Sequence, residues 1–228
     1  MIITDRFVFL HLHKSGGTFV NQLLLNCVPG ARQIGYHLPY AELPVAYRRL
    51  PVLGTVRDPR AYYVSWYFFQ RGQRQPNALF RICSEDGSLG FAETVANLVG
   101  LHRDAARVDR LVAVFPDRFG KAGLNLTKAC IDRIRGCGLG FYSFLYHRLY
   151  AGAGAVRIVR VEALRKELRE ALVALNGEID ARTDAFLSDM PPLNRSAHGA
   201  VDSHYDAALA ARVAEADGAL MDLHGYAR

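Results

Sequence analysis

The chain has 228 residues, half of them hydrophobic, with 28 basic against 22 acidic side chains and a net charge of +6. That length supports one α/β domain with a full core and would also allow two domains. The modest charge excess suits anionic ligands without pointing to nucleic acid, and no apolar run approaches the length of a membrane span.

In chain order, Phe7-Val8-Phe9-Leu10 is continuously apolar, and a central buried strand is predicted over Phe7–His11. It breaks into His11-Leu12-His13-Lys14-Ser15-Gly16-Gly17-Thr18. A helix is predicted over Thr18–Val28, with Phe19, Val20, Leu23, Leu24 and Cys27 on one wide apolar face and Pro29-Gly30 stopping it. A buried strand that breaks into a lysine and two glycines and then opens a helix is a recipe for a phosphate site. Glycines let the backbone approach an anion, the first helical N–H groups lack intrahelical partners, and the helix dipole adds about half a positive charge there. The loop is not a Walker A sequence, in which the lysine follows the glycines; here it precedes them.

Gln33–His37 reads as a short strand and Tyr40–Leu50 as a short helix interrupted at Pro44. Val52–Val56 is the next strand and Pro59–Gln70 the next helix, with Pro59 at a first helical position that tolerates its fixed φ and missing N–H. Arg57 ends that strand and Ser65 stands eight residues on, so a guanidinium fork and a hydroxyl could hold one phosphate. Two such loops on consecutive strands imply a ligand with two separated anionic groups. Further along, Gly90–Gly100, Asn125–Arg135 and Phe141–Tyr150 read as helices, Ala155–Val161 as a late strand, Glu162–Asn176 as an amphipathic helix ending at Gly177, and Asp206–Leu223 as a closing helix. The alternation predicts an α/β fold with a parallel sheet and right-handed crossovers. In such sheets ligands bind beyond the carboxyl ends of the strands, where Lys14, His37 and Arg57 all fall. No linker, low-complexity tract or repeat divides the sequence, so a single domain over residues 1–228 is expected, with a helical insertion around 70–150.

The Lys14–Thr18 loop and the Arg57-Asp58-Pro59…Ser65 spacing resemble the two cofactor-binding motifs of sulfotransferases that use 3′-phosphoadenosine 5′-phosphosulfate. Val159-Arg160-Val161-Glu162-Ala163-Leu164 is similar to that family's strand-then-Glu-x-Leu step. Pro192-Leu193-Asn194-Arg195-Ser196, followed by Tyr205 and a terminal helix, looks like its Asn-x-Ser tail. One departure is Tyr62, where many relatives carry arginine three residues after the proline; Arg60 lies nearby on a different helix face. The resemblance implies a three-layer P-loop-type fold with a central, mainly parallel sheet flanked by helices. It also implies that Lys14, Ser15, Gly16, Gly17, Thr18 and Phe19 meet the 5′-phosphosulfate, that Arg57 and Ser65 hold the 3′-phosphate, and that Asn194, Arg195 and Ser196 contribute to the same co-substrate site.

Sulfonyl transfer needs a cation and aimed N–H donors at the leaving phosphate oxygen, and a base for the attacking hydroxyl. Lys14 is the natural cation, and no metal is required. His37 is the expected base, because in the carbohydrate-acting relatives the second strand ends with a histidine that deprotonates the acceptor; His11 and His13 compete for that role. The expected partner is a hydroxyl-bearing acceptor, a glycan or glycosylated small molecule, with no nucleic acid and no membrane span. Cys27, Cys83, Cys130 and Cys137 show no Cys-x-x-Cys spacing and no zinc cluster, and nothing resembles a signal peptide, so a cytoplasmic protein is expected. The competing readings are a P-loop-type kinase using ATP and a non-catalytic nucleotide-binding protein.

Overall fold

The computed structural model describes residues 1–121, 123–191 and 198–228, and the chain divides into two compact units. The first comprises Met1–Arg57, Gly120–Asn125 and Tyr146–Arg195. Its centre is a five-stranded sheet in the order β3-β1-β2-β4-β5, formed by β1 (Ile2–Ile3), β2 (Val8–Leu10), β3 (Arg32–Gln33), β4 (Val52–Val56) and β5 (Val156–Arg160). β1 runs antiparallel to both β2 and β3, while β2, β4 and β5 are mutually parallel, so the other four strands share one direction. The predicted mainly parallel α/β sheet is therefore present, with the first predicted strand at its centre.

Side-chain alternation decides what each face of the sheet meets. Phe7, Phe9, Leu53 and Val159 join Phe19, Val20, Leu23 and Leu24 of α1 (Gly17–Cys27) in a core cluster. α8 (Leu164–Asn176) adds Leu168 and Leu172, and α9 (Ala181–Asp189) adds Leu187. On the other face Gly54 lies under the Tyr150 ring, where a Cβ would come 2.4 Å from the hydroxyl oxygen. That hydroxyl also spans Thr55, accepting from its N–H at 3.0 Å and donating to its carbonyl at 3.1 Å.

The second unit, Asp58–Phe119, Leu126–Leu145 and Ser196–Arg228, is helical. It holds α2 (Pro59–Arg71), α3 (Ala78–Cys83), α4 (Phe91–Val99), α5 (Ala105–Val114), α6 (Lys128–Asp132), the start of α7 (Phe141–Tyr150) and α10 (Ala207–His224). α2 opens as expected: Pro59 takes the first position, and the Asp58 carboxylate accepts from the N–H groups of Arg60 at 2.7 Å and Ala61 at 3.4 Å. Tyr62, the departure from the resembled motif, is a fully buried core residue stacked 4.1 Å from Tyr142. Asp217 of α10 is buried and accepts from the Tyr63 hydroxyl at 2.6 Å, the Ser143 N–H at 2.9 Å and the Ser143 hydroxyl at 2.6 Å. Asp217→Ala would orphan all three donors. A stability loss of at least about 1–3 kcal/mol is expected from their desolvation, read as a lowered urea midpoint with unchanged m.

Several local expectations are corrected. The strand predicted over Gln33–His37 is only Arg32–Gln33, because the chain leaves the sheet and His37 turns left-handed at φ 51°. The helix predicted over Tyr40–Leu50 is two 3₁₀ turns, Tyr40–Glu42 and Val45–Tyr47, separated at Pro44, whose missing N–H cannot continue the ladder. The helix expected over Asn125–Arg135 shrinks to Lys128–Asp132, since Asn125 sits at φ 52° and Thr127 caps the helix that follows. α3, α5 and α9 were not anticipated, although each opens on a side-chain cap: Asn77, Asp104 and Asp180 accept from the N–H groups of Phe80, Arg107 and Thr183.

Candidate functional site

The loop between β2 and α1 is shaped by two left-handed residues, Lys14 at φ 55° and Gly16 at φ 73°. Gly16 is the N-cap of α1 and brings no side-chain cap, and its carbonyl accepts from the Phe19 N–H at 3.1 Å. The space beside Gly16 is crowded: a Cβ there would lie 3.3 Å from both Val161 and Leu164, which open and close the Val161-Glu162-Ala163-Leu164 step. Gly17 is fixed by a closer approach, since a Cβ would fall 1.9 Å from the buried His11 ring. Ser15 is fully buried, and its hydroxyl donates to the His13 carbonyl at 3.2 Å.

The second motif reaches this loop. Arg57, one residue past β4, donates from Nη1 to the Lys14 carbonyl at 3.4 Å. Burial, with the Arg57 charge added to it, lowers the Lys14 ammonium to about 8. Like charges held together resist protonation, and an anion at the same place favours it. The residues present therefore fit an anionic group at the loop, and among the described residues no His/Cys/Asp/Glu cluster of metal-binding geometry occurs.

His37 lies against the same loop. Its Nδ1 is 2.8 Å from the His11 carbonyl, which can only accept, so Nδ1 carries the proton and Nε2 is the ring's acceptor. The His37 ring meets the His11 ring at 4.4 Å and the His13 ring at 5.1 Å, both edge-on. Burial pulls His37 down to about 4, and it holds His11 and His13 well below the ordinary histidine range. All three imidazoles are neutral at pH 7.

The structure brings together Lys14, Ser15, Gly16, Gly17, Thr18, His37 and Arg57 within the first unit. Ser65 is buried in α2, in the second unit. The Phe19 side chain belongs to the core, edge-on to Phe186 at 5.5 Å, and its N–H goes to the Gly16 carbonyl at 3.1 Å. Asn194, Arg195 and Ser196 lie outside the described residues. Sequence reading missed Asn125 and Arg148, which bind the backbone on either side of the His37 α-carbon from positions 89 and 111 residues away.

No protein-family model and no curated protein matches this sequence. Among solved structures it is similar to mouse sulfotransferase SULT7A1 complexed with PAP, with a TM-score of 0.55 and 14% identity, covering 96% of this chain and 84% of that one. The fold is thus a sulfotransferase-like α/β arrangement with a mostly parallel central sheet flanked by helices.

Proposed function

We propose that this chain is a sulfotransferase that moves the sulfonyl group of 3′-phosphoadenosine 5′-phosphosulfate to an acceptor hydroxyl, with a glycan or glycosylated small molecule as acceptor. The carrying observation is the contact of Arg57 with the Lys14 carbonyl, which puts a guanidinium from one phosphate motif on the loop of the other. The fold shared with a sulfotransferase complexed with PAP supports the reading. We assign the chain to the cytoplasm; no helix among the described residues is long and apolar enough to cross a membrane. We read the whole chain as one such domain, with the helices around 70–150 as its insertion.

In this reading the bound co-substrate supplies an activated sulfonyl group, and the chain supplies position and charge. Lys14 and the turn at Gly16, Gly17 and Thr18 hold the phosphosulfate end and stabilise charge as it builds on the leaving oxygen. Arg57 and Ser65 hold the 3′-phosphate, with Asn194, Arg195 and Ser196 assigned to the same nucleotide. His37 accepts the proton of the acceptor hydroxyl at Nε2. The direct experiment incubates the protein with ³⁵S-labelled 3′-phosphoadenosine 5′-phosphosulfate and a panel of glycans, glycosides and phenols. Label in a glycan or glycoside is the expected result. Phosphorylation of the same panel from magnesium-ATP in place of sulfonylation would overturn it.

A pH effect follows from the Lys14 environment. The ammonium titrates at about 8 in the free protein, and an anionic ligand favours its charged form, so binding takes up a proton above that pH. Affinity for adenosine 3′,5′-bisphosphate is expected to fall only modestly as pH rises past that value, by no more in all than Lys14→Ala removes. Calorimetry in two buffers of different ionisation enthalpy checks the proton uptake.

A further inference from the structure

His37, like Lys14, carries a Cβ on a left-handed backbone, at φ 51°. A left-handed conformation in a residue with a Cβ costs about 1–3 kcal/mol and persists only where the surroundings impose it. Two side chains from distant parts of the chain do so, both within the first unit. Arg148, on the last turn of α7, donates from Nη2 to the His37 carbonyl at 3.1 Å. Asn125, only 8% exposed, donates from Nδ2 to the Tyr36 carbonyl at 2.5 Å. The Asn125 amide is itself locked, donating to the Gly120 carbonyl at 2.9 Å and accepting from the Gly120 N–H at 2.8 Å. The Tyr36 N–H completes the clasp by donating to the Lys121 carbonyl at 3.3 Å. Consecutive carbonyls before and after the His37 α-carbon are thus held by side chains, and the ring's Nδ1–H is held by His11.

We infer that Asn125 and Arg148 are positioning residues for His37, clasping its peptide in the left-handed form that commits Nδ1–H to His11 and leaves Nε2 as the proton acceptor. The inference deepens the proposed function and rests on it for the base role of His37. Arg148 has a second effect. Besides Tyr36, the groups around His37 are His11, His13 and Lys14 from the β2 end, the amino group of Met1, and Arg148 from α7, and the cations among them oppose protonation. Burial is the main reason the imidazole stays neutral, and Arg148 adds to it while holding the His37 peptide in place.

The test needs neither nucleotide nor acceptor. In ¹⁵N- and ¹³C-labelled protein the His37 ring is followed against pH in the wild type, Arg148→Met, Arg148→Lys and Asn125→Ala. The wild type is expected to show the Nδ1–H tautomer. Arg148→Met is expected to raise the apparent His37 pKa by at least about half a unit, whereas Arg148→Lys, which keeps the charge, leaves it near the wild-type value. Asn125→Ala is expected to mix the two neutral tautomers; should that variant not fold, the two Arg148 variants decide. An Nε2–H wild type, or a His37 titration indifferent to Arg148→Met in a folded protein, overturns the inference. Absent sulfonyl transfer with an intact His37 response would instead sink the proposed function and leave the clasp standing.

Discussion

Lys14→Ala is expected to slow sulfonyl transfer by about 10²–10³-fold while weakening adenosine 3′,5′-bisphosphate binding far less. The asymmetry follows from what holds the loop and what the ammonium does. The loop is shaped by Gly16 at φ 73°, by the Gly17–His11 approach and by the Ser15 hydroxyl on the His13 carbonyl, none of which needs the Lys14 side chain. Arg57 grips the Lys14 main-chain carbonyl, which alanine retains. What alanine removes is a cation already lowered to about 8 by burial and by Arg57, the one that the proposed mechanism assigns to the leaving oxygen. An interaction made chiefly in the transition state lowers kcat and leaves KM almost unchanged. Single-turnover rates and calorimetry on the same variant separate the two; equal, mild losses in both would contradict the role.

Gly17→Ala is expected to be the most damaging single methyl group in the first unit. The added Cβ would lie 1.9 Å from His11 Cδ2 and 2.1 Å from Nε2, far inside any tolerated contact. His11 has little room to retreat, because the residue is buried and its carbonyl carries the His37 Nδ1–H. Overpacking of this kind costs about 1–3 kcal/mol, or roughly 3–10 °C in Tm for a chain of this size. The functional effect exceeds the stability loss, since the loop, the start of α1 and His37 must all shift together. Adenosine 3′,5′-bisphosphate affinity is expected to drop at least about tenfold. Gly16→Ala makes a contrast: its Cβ would meet Val161 and Leu164 at 3.3 Å, close enough to press on two flexible aliphatic side chains, and the strain there comes mainly from φ. Thermal melts and bisphosphate titration of both variants test the order.

The parts of this fold that the sequence made legible are those governed by local pattern. β2 was readable because Phe7–Leu10 is apolar on both faces, and all four side chains are fully buried. α1 and α2 were readable because glycine and proline punctuate their starts, and α7 appears over the predicted Phe141–Tyr150. The helices at Ala78, Ala105 and Ala181 carried signals that went unread, namely Asn77, Asp104 and Asp180 as caps. At the site, Lys14, Arg57 and His37 converge within one unit because they follow ends of strands that share a direction. The clasp on His37 had no local signature. Asn125 and Arg148 reach it across long stretches of chain, and only tertiary structure pairs them with the peptide they hold.

The central claim, that one nucleotide with two separated anionic groups is held by the Lys14 loop and Arg57 together, is tested most directly by a ligand-and-mutant binding cycle. Calorimetric affinities of adenosine 3′,5′-bisphosphate and of 5′-AMP are measured for the wild type and Arg57→Ala. The 3′-phosphate is expected to strengthen wild-type binding by at least about tenfold, and Arg57→Ala is expected to erase most of that gain while leaving 5′-AMP nearly unaffected. Equal affinity for the two nucleotides in the wild type, or a 3′-phosphate gain that survives loss of the guanidinium, would contradict the assignment.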